Sequence, residues 1–150
     1  MDRRKFLTKS TLATAGAAVA LTAKQAQASG KHHGKHHGSN KYQQAVKASL
    51  DCIGSGEVCA SHCVELLSQG DKSMKDCLPA VRNMLALCGA MVKVGSAGTN
   101  KKLIQKTAAA CVMACEACMN ECDKHKDKHA DCKVCYESCK RCIAACKKIA

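Results

Sequence analysis

From residue 41 onward the inward-type positions recur three and four residues apart and never alternate, which is the period of a helix with one face turned to a core. Four such stretches are predicted, at about 41–68, 73–94, 100–124 and 131–148. Gly70 stops the first, the run Gly95-Ser96-Ala97-Gly98 stops the second, and Thr99 or Asn100 caps the third. Ser73 and Asp76 form a loose capping box for the second helix, with Pro79 near its first turns, where proline is tolerated best. Gly54 and Gly56 fall inside the first helix and predict a weakened or bent stretch there. Helices joined by short connections pack against their chain neighbours, so the expected fold is all-α, an antiparallel up-down-up-down four-helix bundle.

The repeating residue is mostly cysteine. Cys111, Cys115, Cys118 and Cys122 step by four, three and four, which keeps them within an arc of about 60° on a helix, and Cys132, Cys135, Cys139, Cys142 and Cys146 stay within about 80°. Cys52, Cys59 and Cys63 share a face at spacings of seven and four, as do Cys77 and Cys88 at eleven. On the fourth helix Lys133, Glu137, Lys140, Arg141 and Lys148 lie on the opposite side, while Tyr136 and Ile143 flank the cysteines. Cysteine therefore stands where a bundle normally places leucine, and all fourteen sulfurs are expected to point at the bundle axis.

Composition changes this picture at the N-terminus. Asp2-Arg3-Arg4-Lys5-Phe6-Leu7 resembles a twin-arginine export motif, followed by a weakly apolar run and the small-residue site Ala26-Gln27-Ala28. The expected organisation is a signal peptide at 1–28, a flexible His-rich tail at 29–40 and a four-helix-bundle domain at 41–150, with a periplasmic or other extracytoplasmic destination. The apolar run is too short to span a bilayer, so no membrane insertion of the mature chain is expected. The leader carries five Lys/Arg and one Asp, so cleavage lowers the formal charge from +12 to +8. That charge does not point to nucleic acid: Trp is absent, the single Phe lies in the leader, and only Tyr42 and Tyr136 remain to stack on bases. The lysines read as a solvated outer face.

Three uses of the sulfur are open: small core residues, disulfide staples of a secreted structural bundle, and metal ligands. Filling a core with cysteine forfeits apolar volume at every position, which is a poor choice for packing alone. Disulfides suit an even count in an oxidising compartment, yet runs along one face put the nearest partner on the same helix, where a bridge constrains little. Metal uses that spacing better, because positions one turn apart are about 5–6 Å apart and two metal–sulfur bonds of about 2.3 Å span that gap. Soft thiolates select Cu(I), Zn or iron–sulfur clusters. One Cu(I) per thiolate leaves the column neutral, whereas a Zn or Cd Cys₄ centre carries −2 and draws its tetrahedron from loops. Many Cu(I) ions per chain fit best, with a Zn/Cd–thiolate buffer as the alternative. No enzyme is expected: a di-iron bundle needs Glu-x-x-His, but Cys59, Cys122 and Lys126 precede His62, His125 and His129 by three residues.

The motifs Cys52-x₆-Cys59-x₂-His62-Cys63, Ser73-Met74 before Cys77, Cys88-Gly89-Ala90, Cys115-x₂-Cys118-x₃-Cys122-Asp123 and the five-cysteine last helix resemble the bacterial copper storage proteins of the exported kind. The resemblance covers roughly 42–150. It implies a tube of inward thiolates filled with Cu(I), a homotetramer, and delivery to a copper-requiring enzyme or chaperone. It also implies that His62 and Met74 are weaker, exchangeable ligands at one mouth. Leu66 and Gln69 stand where further methionines belong in that pattern, and Cys111 is an addition to it. His125 and His129 share that end and are auxiliary candidates, as are His32, His33, His36 and His37 of the tail. Met84 and Met91 read as core filler.

Overall fold

The chain stops and starts its helices with short local signals. The computed structural model describes residues 40–150, folded as α1 (Asn40–Ser68), α2 (Cys77–Ala97), α3 (Lys101–Asp123) and α4 (Ala130–Cys146), with one 3₁₀ turn, Lys72–Met74, ahead of α2. Among the described residues there is no strand. The twin-arginine stretch and the tail histidines His32, His33, His36 and His37 lie outside the described residues. α3 opens on Asn100, whose extended backbone lets its side-chain oxygen accept the Leu103 N–H at 2.9 Å. α2 closes on Gly98, whose φ of +66° is a left-handed turn that glycine enters without strain.

Two local expectations are corrected. α2 begins at Cys77 and not near Ser73, because Asp71 captures the backbone first: its carboxylate accepts the Ser73 N–H at 2.8 Å and nucleates the 3₁₀ turn that carries Met74 into the core. Asp76, at the N-cap position, makes no side-chain cap bond, so the capping box does not form. α1, in turn, runs unbroken for 29 residues through Gly54 and Gly56. A Cβ on Gly56 would lie 2.5 Å from Met84 Cε and 2.9 Å from Leu85 Cδ2, so this glycine lets α1 and α2 approach closely. Packing there outweighs the roughly 1 kcal/mol that glycine costs a helix interior.

The register is read from cross-helix pairs. A Cβ on Gly95 would meet Val46 as one on Gly56 meets Met84, and Cys63 groups with Cys77, so α1 and α2 are antiparallel. Cys88 beside Cys111 and Cys77 beside Cys122 set α2 against α3. Cys118 beside Cys135 and Glu116 paired to Lys147 do the same for α3 and α4. Ser49 beside Cys142 and His62 beside His129 close α4 back on α1. α1 to α4 thus form a square ring of chain neighbours, the up-down-up-down bundle.

Its two ends differ. One gathers the α1–α2 and α3–α4 connections with His62, Met74, His125 and His129. The other is filled by Ala45, Met91, Ile104, Ala108 and Ile149, all buried. α2 is long and apolar enough to cross a membrane by length and composition. In this fold its stripe of Cys77, Val81, Met84, Cys88 and Met91 is buried against the other helices, which is the ordinary cause of such a sequence in a core helix.

Candidate metal centre

Every one of the fourteen cysteines is 0% exposed and every one is a free thiol. Inward placement follows from the three-and-four spacing. What spacing on one helix does not give is how the four stripes interleave. From the histidine end, the sulfurs gather as Cys59/Cys63/Cys77, Cys59/Cys122/Cys135, Cys118/Cys135/Cys139, Cys52/Cys88/Cys115/Cys142 and Cys111/Cys142/Cys146, with the sulfurs of each set within 4.8 Å of one another. Cys59, Cys135 and Cys142 each belong to two sets, and Cys52 Sγ lies 3.7 Å from Cys139 Sγ, so the sets link into one column. Cys132 is buried at the histidine end, where Cys122, Cys59 and Cys77 draw its thiol down.

The closest sulfur pairs run between helices and not along one stripe: Cys88–Cys111 at 3.6 Å, Cys118–Cys135 at 3.7 Å and Cys59–Cys122 at 3.9 Å. One layer, Cys52/Cys88/Cys115/Cys142, takes a thiol from each of the four helices. Its Cys88–Cys115 and Cys88–Cys142 distances of 3.7 and 3.9 Å match the edge of about 3.8 Å that a tetrahedron of roughly 2.3 Å metal–sulfur bonds requires. A single helical stripe is a poor source of a tetrahedron, but here four helices supply one jointly. Disulfide pairing, by contrast, finds no unique solution, because Cys88 has three sulfur neighbours at nearly equal distance.

Protons are unevenly held across the column. Hydrogen bonding to Cys111 first, then Cys115, Cys142 and Cys52, together with burial, keeps the Cys88 thiol well above its ordinary range. Cys115, through Cys111 first, Cys122, through Cys118 first, and Cys146, through Cys111 first, are pushed the same way. Cys52 is drawn down by its hydrogen bond from Cys115 first, and Cys142 by that from Cys111, so within the four-helix layer these two are the readier to become thiolates. A soft cation entering the layer therefore meets both ready ligands and protons to displace.

At the histidine end, His62 Nε2 and His129 Nδ1 are 2.9 Å apart, and the His125 and His129 rings meet edge-on with centroids 6.4 Å apart. Asp131 Oδ2 stands 3.7 Å from His62 Nδ1 on the other side. The structure thus brings together His62, His125 and His129, while Met74 lies buried in the neighbouring 3₁₀ turn. A surface groove of about 390 Å³ is lined by His62, Glu57, Glu65 and Asp131, so the surface beside His62 is acidic on a chain of net charge +12. The sequence reading missed Asp131. It also missed Ser49, whose Oγ lies 3.6 Å from Cys142 Sγ, and it read as core filler Met84, whose Sδ lies 3.4 Å from Cys52 Sγ. For Ser49 and Met84 the signal was present: each occupies an inward position three or four residues before a cysteine of its own helix.

A four-helix bundle with a continuous interior of free thiols defines a protein that binds many thiophilic ions inside its fold. Residues 38–150 match the copper storage protein family, and the chain belongs to it. Among solved structures it resembles the copper storage protein Ccsp of Streptomyces lividans loaded with 10 copper equivalents, at 26% identity and a TM-score of 0.67, over 73% of this chain and 83% of that one. A second structure, of copper loading to a cytosolic copper storage protein from the same organism with five coppers, matches at 26% identity and a TM-score of 0.67, over 73% of this chain and 91% of that one. No curated protein matches the chain significantly.

Proposed function

We propose that this chain is a non-enzymatic store that takes up Cu(I) through its thiol column, close to one ion per cysteine, and yields it through the end marked by His62, His129 and Met74. The observation that carries this reading is the unbroken chain of sulfurs with no cationic side chain buried among them: among the described residues, Ser49 and Ser138 are the only buried polar or charged ones. Cu(I) with thiolate cancels charge one for one, which a column without internal counterions needs. His125 serves as an auxiliary ligand at the rim, and His32, His33, His36 and His37 of the tail as a first capture point.

The twin-arginine motif supports a leader at 1–28 and storage outside the cytoplasm, after folding and loading inside it. An outward groove between α2 and α3, lined by small residues and by Met113 at 71% exposed, supports assembly into a tetramer. The recipient is a copper-requiring enzyme or chaperone. Titration of the reduced protein with Cu(I) against a competing chelator tests the core of this. Uptake of roughly one ion per thiol is expected; saturation near one ion per four thiols, with native zinc or cadmium, would establish a tetrahedral buffer instead.

A further inference from the structure

The sulfur stripe of α1 skips a turn between Cys52 and Cys59, and the buried position in that gap is Gly56. Met84 of α2 fills it. Met84 is fully buried four residues before Cys88, and its Sδ accepts the S–H bonds of Cys52 at 3.4 Å and of Cys88 at 3.6 Å. Its methyl is seated against Gly56, where a Cβ would come within 2.5 Å of Cε. A flexible side chain is thereby held with its sulfur between two thiols of the four-helix layer, in a position that space-filling alone does not require.

We propose that Met84 is a metal ligand that completes a mixed thiolate–thioether Cu(I) site with Cys52 and Cys88 inside the column. Thioether sulfur is, with thiolate, the soft donor that favours Cu(I). The three sulfurs already form a triangle, with edges of 3.4 and 3.6 Å and a Cys52–Cys88 separation below 4.8 Å. Trigonal coordination by bonds of roughly 2.3 Å needs edges of about 4.0 Å, a small expansion. On binding, Cys52 and Cys88 each release a proton to solvent, while Met84 contributes a lone pair and neither proton nor charge. The centre then carries one negative charge where three thiolates would carry two, which matters in a column with no buried cation.

This inference rests on the storage reading, and one experiment separates the two. The full chain, reduced and labelled at its methionine methyls, is loaded with ¹⁰⁹Ag(I), a spin-½ cation of the charge and softness of Cu(I). Through-bond proton–silver correlations are then recorded. The Met84 methyl is assigned by its loss in Met84→Leu, a volume-conserving change; if that variant fails to fold, Met74→Leu, Met91→Leu, Met113→Leu and Met119→Leu assign those four methyls, and a through-space contact with the Cys88 side chain separates Met84 from Met1. A silver correlation at Met84 and at cysteine β-protons, with none at exposed Met113, is the expected result, and the Met84 methyl carbon should shift on Cu(I) loading as well. Correlations at the cysteines with none at Met84 would overturn the proposal and leave storage standing. No uptake of either ion would overturn both.

Discussion

Ser138 sits on α4 between Cys135 and Cys139, 1% exposed, and its hydroxyl has no hydrogen-bond partner. An unsatisfied buried hydroxyl costs about 1–3 kcal/mol, so Ser138→Ala should raise the stability of the reduced apo protein by about 1 kcal/mol in urea unfolding. A loss of stability would show that the hydroxyl has a partner in solution. Ser49 offers no such gain, because its oxygen lies within reach of Cys142. Residue identity and face were legible here: every cysteine steps by three, four or a sum of them, and every one is buried. Depth and partner were not. Periodicity puts Met84 on the inner face of α2, but only the Gly56 contact on α1 decides that its sulfur reaches Cys52.

Helices in this chain owe their ends to single side chains. Asn100 holds the first turn of α3 through Leu103, and Asn100→Ala should destabilise the bundle by about 1 kcal/mol in the same unfolding assay, with helix content by circular dichroism otherwise unchanged. An effect within error would mean that the turn is held by packing alone. The start of α3 could be read because the cap precedes the apolar period directly. The start of α2 could not, since Asp71 and Ser73 compete for the same backbone and an aspartate two residues ahead of a free N–H prevails. Gly54 and Gly56 misled in the other direction. Propensity speaks for an isolated helix, whereas α1 is held by the helix it packs on.

Across the whole molecule, fourteen buried thiols tie stability to pH. Cys88, Cys115, Cys122 and Cys146 keep their protons in the folded apo state well beyond the ordinary thiol range. A raised pKa contributes stability fully below the unfolded value, about pH 8.5, and loses it as pH rises through the folded one. Thiols drawn downward, such as Cys52 and Cys142, are ionised in both states above that pH and add no slope there. The reduced apo protein should therefore weaken from about pH 8.5 upward, by about 1.4 kcal/mol per pH unit for each thiol that remains protonated. Urea midpoints at neutral and strongly alkaline pH check this, and equal midpoints would refute it. The metal-loaded protein, its thiols already deprotonated, should show no alkaline slope. Below neutrality the bundle should fold without metal, because protonated cysteines pack as small apolar groups.

The plug of Ala45, Met91, Ile104, Ala108 and Ile149 has a consequence for the order of traffic. On the proposed route past His62, a column closed by these apolar side chains has a single door, so ions pass in file and the contents behave as a stack. The last ion taken up is the first surrendered. Loading with one stable copper isotope to half capacity, then with a second, and withdrawing a small fraction with a chelator should return mainly the second isotope. A withdrawn fraction with the mixed composition of the whole would mean that ions exchange places within the column faster than they leave it.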